Sequence, residues 1–171
     1  MLDRLLSSPI LSRIRRNHGL EHATIHVLSQ RYPGTPLVGR SDVRGFFLYT
    51  QLPIEAVRQS ITEALERMRA GEHRLAIHPN CGTNFLTAGV LATMASYFSF
   101  YGGRDERWQD RLARLPLAVF VTSMALILAQ PLGNAAQLHL TTQGDPEGLQ
   151  VDAIVPLRRG HNRLYRIFTS D

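Results

Sequence analysis

From Leu11 to Leu28 the apolar residues Leu11, Ile14, Ile25 and Leu28 fall on one face of an α-helix. On a wheel of about 100° per residue with His18 at zero, His22 lies at roughly 40° and Glu21 at roughly 300°, inside that apolar sector, while Arg13 and Arg16 point away. A polar trio in a greasy stripe costs roughly 2 to 7 kcal/mol per group unless something satisfies it. The helix therefore predicts a metal ion, an internal hydrogen-bond network or a water-filled cleft at its centre.

Further along, PLVGRSDVRGFFLYTQL (residues 36–52) reads as two short strands with a turn at residues 39–42. Pro53 then opens a helix whose apolar positions Ile54, Val57, Ile61, Leu65 and Met68 recur at helical spacing, and Gly71 closes it. HRLAIHP (residues 73–79) reads as a third short strand. Residues 84–103 and 115–138 carry no charged side chain, and each run is close to the ~20 residues that cross a bilayer as a helix. Pro131 and Gly133 are expected to kink or end the second of these helices. Residues 149–170 contain two β-rich runs around a turn at 159–162, and two crossings return them to the side of the first strands.

The expected fold is thus α+β: a small mixed sheet with an N-terminal motif helix, split around a transmembrane helical hairpin. Its parts are an N-terminal α+β segment (1–83), the hairpin (84–138) with a polar loop at 102–114, and a C-terminal β-hairpin (139–171) that joins the first segment.

Charge changes this picture little. All 19 basic residues are arginine, against 14 acids, for a net charge of +5. The arginines are scattered, without an aromatic-interleaved basic groove, so no nucleic-acid partner is expected. Arginines at 4, 13, 15 and 16 interrupt any signal-peptide core, which places the start of the chain in the cytoplasm as an expectation. A single cysteine, Cys81, excludes an internal disulfide.

Chemistry enters with HGLEH, His18 to His22. Two histidines four apart on one helix face can share a metal ion, and a glutamate one residue before the second can act on a bound water. This is the HxxEH arrangement, the reverse of the common zinc-protease signature. The second constellation is HPNCGTN (residues 78–84), where His78 and Cys81 stand three apart at the presumed strand-to-helix junction. His78 is the natural third ligand. Cys81, just before a helix start, is a fourth ligand, a reactive thiol or a small buried hydrophobe. His26, Asn80 and His139 are placed around the ligands as supporting groups. His73 and His161 adjoin turn signals and are expected at the surface, and Asp42 is either a histidine-orienting carboxylate or a plain turn residue.

The pairing of NHGLEHATIHVL with LAIHPNCGTN, followed by two apolar segments, resembles a functionally uncharacterised family of short bacterial membrane proteins over most of the chain. That resemblance implies a membrane protein without an assigned activity. HxxEH separately resembles the inverzincin metalloproteases over five residues only. That family takes its third ligand from a glutamate well downstream, where this chain reads ASYFSF at residues 95–100.

The resulting expectation is a zinc-dependent hydrolase, with a peptidase acting on a peptide or membrane-protein substrate as its narrower form. It would sit in the lipid bilayer of the bacterial inner membrane with the metal motifs on the cytoplasmic side. His18, His22 and His78 would bind zinc, with Glu21 as general base. The alternative is a non-catalytic membrane metalloprotein in which His18, His22, His78 and Cys81 close a structural site.

Overall fold

The computed structural model describes residues 6, 8–101, 107–158 and 160–171. The chain forms two compact units, one made of Met1–His78 with Leu138–Asp171 and the other of Pro79–Gln137.

In the first unit, helix α1 (Pro9–Arg31) starts at Ser8 with proline in its first turn, where a missing N–H costs nothing. Strands β1 (Leu37–Asp42) and β2 (Gly45–Thr50) follow as a hairpin, and helix α2 (Ile54–Arg69) begins after Pro53. Strands β3 (Gln150–Arg158) and β4 (Arg163–Ser170) complete a four-stranded sheet of order β1-β2-β4-β3. Every neighbouring pair is antiparallel, so the sheet is not mixed. Both hairpin connections are too short for the crossover that a parallel pair needs. One face alternates inward with Phe46, Leu48, Tyr165 and Ile167, which pack with Leu20 and Leu28 of α1 and with Val57, Ile61 and Met68 of α2. Each such side chain, fully buried, contributes roughly 1.5 to 3 kcal/mol.

Three local expectations are corrected. The first turn lies not at 39–42 but at Val43 and Arg44, between the paired residues Asp42 and Gly45. The Asp42 carboxylate accepts the Arg44 N–H at 2.8 Å, and Gly45 supplies a φ of +132°. Residues 73–76 form a 3₁₀ turn rather than a strand. Their amides bond locally, Leu75 to the Glu72 carbonyl and Ile77 to the Arg74 carbonyl. Finally, Arg16 does not point to solvent. It is buried and ion-paired with Glu147 and with Asp171, while Leu11 is exposed, because α1 is covered by the C-terminal segment as well as by the sheet. The turn expected at 159–162 includes Arg159, outside the described residues; Gly160 there has a φ of +116°.

The second unit contains α3 (Gly82–Phe100), the short α4 (Trp108–Ala113) and α5 (Leu115–Ala136). Residues 102–106 of the expected polar loop lie outside the described residues. Helices α3 and α5 pack together, with Ser96 and Thr122 hydroxyls 3.0 Å apart. Near their other end Asn84 donates to the Pro79 carbonyl at 2.8 Å and to Asn134 at 3.1 Å, and accepts from the fully buried Gln137 at 2.7 Å. Gly133 makes the approach possible, since a Cβ there would stand 2.4 Å from the Asn84 Oδ1.

Among the described residues, one helical stretch, Leu115–Thr141, is long and apolar enough to cross a membrane by length and composition. The expectation of two such helices is therefore met only for the second run. Helix α3 falls short because Thr83, Asn84, Thr87, Ser96 and Ser99 dilute its apolar side chains. Pro131 does not end α5, which continues to Ala136 and into a π-helical turn at Gln137–Thr141. Neighbouring packing re-satisfies a backbone that a proline interrupts.

Candidate metal centre

The site is built on the middle of α1. Asn17 is fully buried and pins the helix at two points: its amide donates to the Asp42 carbonyl at 2.9 Å and accepts the Thr169 hydroxyl at 2.7 Å. Gly19 clears the next face, where a Cβ would meet the Gln143 carbonyl oxygen at 2.3 Å and Ala76 at 3.3 Å. Two chain segments thereby come against α1 on the side that carries the histidines.

Those segments present backbone carbonyls to the imidazoles. His22 Nδ1 lies 2.7 Å from the Ala76 carbonyl, and His18 Nδ1 lies 2.9 Å from the Thr141 carbonyl. A carbonyl can only accept, so both Nδ1 atoms carry a proton, and Nε2 is the nitrogen that holds the lone pair in the neutral ring. Ligand-type nitrogens of the two rings lie within 4.8 Å of each other. The ring centroids are 4.3 Å apart. His26 uses Nε2 instead, donating to the Ile77 carbonyl at 2.8 Å.

His78 closes the row, with its ring 5.8 Å from that of His22 and 4.8 Å from that of His26. Burial, reinforced by the charges that His26 and His22 can carry, pushes its pKa down to about 4. At neutral pH it is a neutral imidazole, the form that binds a metal. Glu21 is buried on the adjacent flank of α1, its carboxyl packed over Gly39 of β1.

The remaining expected residues are placed as follows. Cys81 and Asn80 belong to the second unit. Cys81 is buried as the N-cap of α3, its sulfur accepting the Thr83 N–H at 3.4 Å, and Asn80 is exposed. His139 is exposed in the π-turn, and its backbone carbonyl accepts from Arg15 at 3.3 Å. His73 and His161 are exposed. Asp42 does not orient a histidine. Its carboxylate accepts from Arg166 at 2.7 Å, and although burial raises its pKa, the bonds and charges of Arg166 and Arg44 hold it below the usual range. Arg166 itself is sandwiched by Phe47 and Phe168, its guanidinium carbon 4.3 Å and 5.0 Å from the ring centres.

Asn17, Gly19 and Gly39 escaped sequence reasoning as contributors to the site. A signal was present at Gly19: glycine inside a helix costs about 1 kcal/mol, and its place between two histidines points to a close backbone approach.

A family model described as Domain of unknown function (DUF6391) matches residues 13–154. The chain belongs to this family. The chain is also similar to an uncharacterized protein of Picosynechococcus sp., 34% identical over 143 residues, which cover 75% of this chain and 65% of that protein. The chain thus spans less than two thirds of that relative's length. No solved structure matches. The matched span includes both HGLEH and HPNCGTN, so the histidine row lies within the DUF6391 region.

Proposed function

We propose that this DUF6391 protein is a membrane-anchored, zinc-dependent hydrolase of peptide bonds, with His18, His22 and His78 as ligands and Glu21 as general base. The observation that carries the reading is the pair of carbonyls, Ala76 and Thr141, that hold His22 and His18 by Nδ1 and leave Nε2 as the ligand nitrogen. Metal-binding histidines are oriented in this way, through the nitrogen that does not face the ion. Ligand-type nitrogens within 4.8 Å of each other support a shared ion, since tetrahedral zinc holds its ligands about 3.3 Å apart.

Zinc in this place would supply Lewis acidity to a substrate carbonyl. Glu21 takes the proton of the attacking water as its oxygen bonds the carbonyl carbon, then gives that proton to the leaving amine as the C–N bond breaks. Burial of Glu21 and His22 keeps bulk water from them and strengthens these charges.

The membrane part of the reading rests on an inverted pair of helices. Phe85, Leu86, Val119 and Ile127 turn outward, each over 60% exposed, while Asn84, Asn134, Gln137, Ser96 and Thr122 bond to one another. Lipid is the solvent that suits such a surface. The hairpin lies in the bacterial inner membrane with the histidines on the cytoplasmic side.

One observation favours the rival, a closed structural site. Cys81 follows His78 by three residues and caps α3, a position that stabilises a thiolate ligand. Zinc analysis of the detergent-purified protein tests both readings: about one equivalent is expected, lost in His18→Ala and in His22→Ala. Zinc-free protein whose stability is indifferent to chelator overturns both.

A further inference from the structure

Among the described residues Arg15 makes no hydrogen bond to a proposed ligand, yet it grips the segment that orients one of them. Its Nη2 donates to the Thr142 carbonyl at 3.1 Å and to the His139 carbonyl at 3.3 Å. Its own carbonyl accepts the Gln143 N–H at 3.0 Å. These contacts bracket Thr141, whose carbonyl receives His18 Nδ1. The segment they hold is the end of the π-helical turn Gln137–Thr141, in which the α-helical repeat is already broken. Such turns are rare and recur at functional sites.

We infer that Arg15 is a positioning residue: by clamping the 139–142 carbonyls it aims the Thr141 oxygen at His18 and so fixes His18 as the Nδ1–H tautomer, with Nε2 directed to the metal. This inference rests on the proposed metal reading for its purpose, but its physical content, the tautomer of His18, exists without any ion. With the side chain of Arg15 removed, the bonds that fix the carbonyls on either side of Thr141 are lost. The Thr141 carbonyl is then less firmly aimed at His18, and its hold on the proton position of that ring weakens.

The test uses the full-length, chelator-treated protein in detergent with ¹⁵N-labelled histidine, near pH 8, where an ordinary imidazole of pKa about 6.5 is neutral. His18 is assigned by the signal lost in His18→Gln. The wild type is expected to show His18 protonated on Nδ1. Arg15→Ala is expected to show a mixed or Nε2–H state, with Arg15→Lys, which keeps one charged donor, in between. Zinc affinity should fall in the same order, by about 10- to 100-fold for alanine, the range seen when an outer-shell partner is lost. Should Arg15→Ala not fold, Arg15→Lys alone decides by the same signal. An unchanged His18 tautomer in a folded Arg15 variant overturns the inference. A wild type that has the Nδ1–H tautomer but binds no zinc instead overturns the proposed function and leaves the positioning role intact.

Discussion

Gly39 of β1 leaves room for one side chain, that of Glu21: a Cβ at position 39 would stand 2.1 Å from Glu21 Oε1 and 2.5 Å from its carboxyl carbon. A glycine in a strand interior weakens the strand, so its presence marks a close approach. Here the carboxylate is what approaches.

Gly39→Ala is therefore expected to push Glu21 from its seat. Overpacking of this kind costs about 1 to 3 kcal/mol, read as a lowered thermal midpoint. Under the hydrolase reading, turnover falls while zinc content holds, because Glu21 is not one of the proposed ligands. An alanine variant with unchanged stability and unchanged activity would show that Glu21 has another place to go.

Glu21→Gln and Cys81→Ser separate the catalytic site from the structural one. Amide replacement at 21 keeps size but cannot take a proton, so zinc stays and turnover drops by about 10² or more. Serine at 81 should be nearly silent in the hydrolase. In a closed site the pattern reverses: Cys81→Ser loosens zinc and lowers stability, since a structural ion contributes directly to folding. Paired measurements of zinc content, melting and hydrolysis of a peptide substrate decide between them.

His78 predicts the sign of an acid transition in the chelated protein. Its folded pKa of about 4 lies below the ordinary 6.5, so between those values the unfolded chain binds a proton that the folded chain refuses. Stability should fall as pH drops from about 6.5 to about 4, with no contribution from this group above that window. Denaturant midpoints across pH check it, and His78→Gln should flatten the slope.

The hairpin makes its own prediction through Gly133. Valine there would collide with Asn84, which bonds Asn134 and Gln137. Cysteines placed at Ser96 and Thr122, whose hydroxyl oxygens are 3.0 Å apart, should cross-link readily on oxidation in the wild-type background. The same pair with Gly133→Val should cross-link poorly.

Much of this architecture was legible in the chain because its signals are local. The helical stripe of α2 and the β-rich runs of β3 and β4 announce themselves through spacing. What was not legible depends on distant partners. HRLAIHP has strand-like composition, but the carbonyls of Ala76 and Ile77 serve His22 and His26 instead of a neighbouring strand. Arg16 reads as a surface cation until Glu147 and Asp171 arrive from the far end of the sequence to neutralise it. In the site itself, spacing picks out His18, Glu21 and His22. The carbonyls that set the histidine protons come from residues 54 and 123 positions away, beyond any pattern in the motif.

The strand order has a consequence for how the molecule comes into being. β2 finds its inner neighbour only in β4, made after α3 and α5, and Asn17 is not locked until Thr169 of that same strand reaches it. A ribosome emitting this chain thus leaves α1 and the first hairpin waiting, with β2 a naked edge, through the synthesis of the whole apolar pair. The pin on Asn17, next to His18, is consequently set only at the end of synthesis, and a nascent chain cut short before β4 carries every proposed histidine ligand in sequence while lacking the strand that fixes their helix.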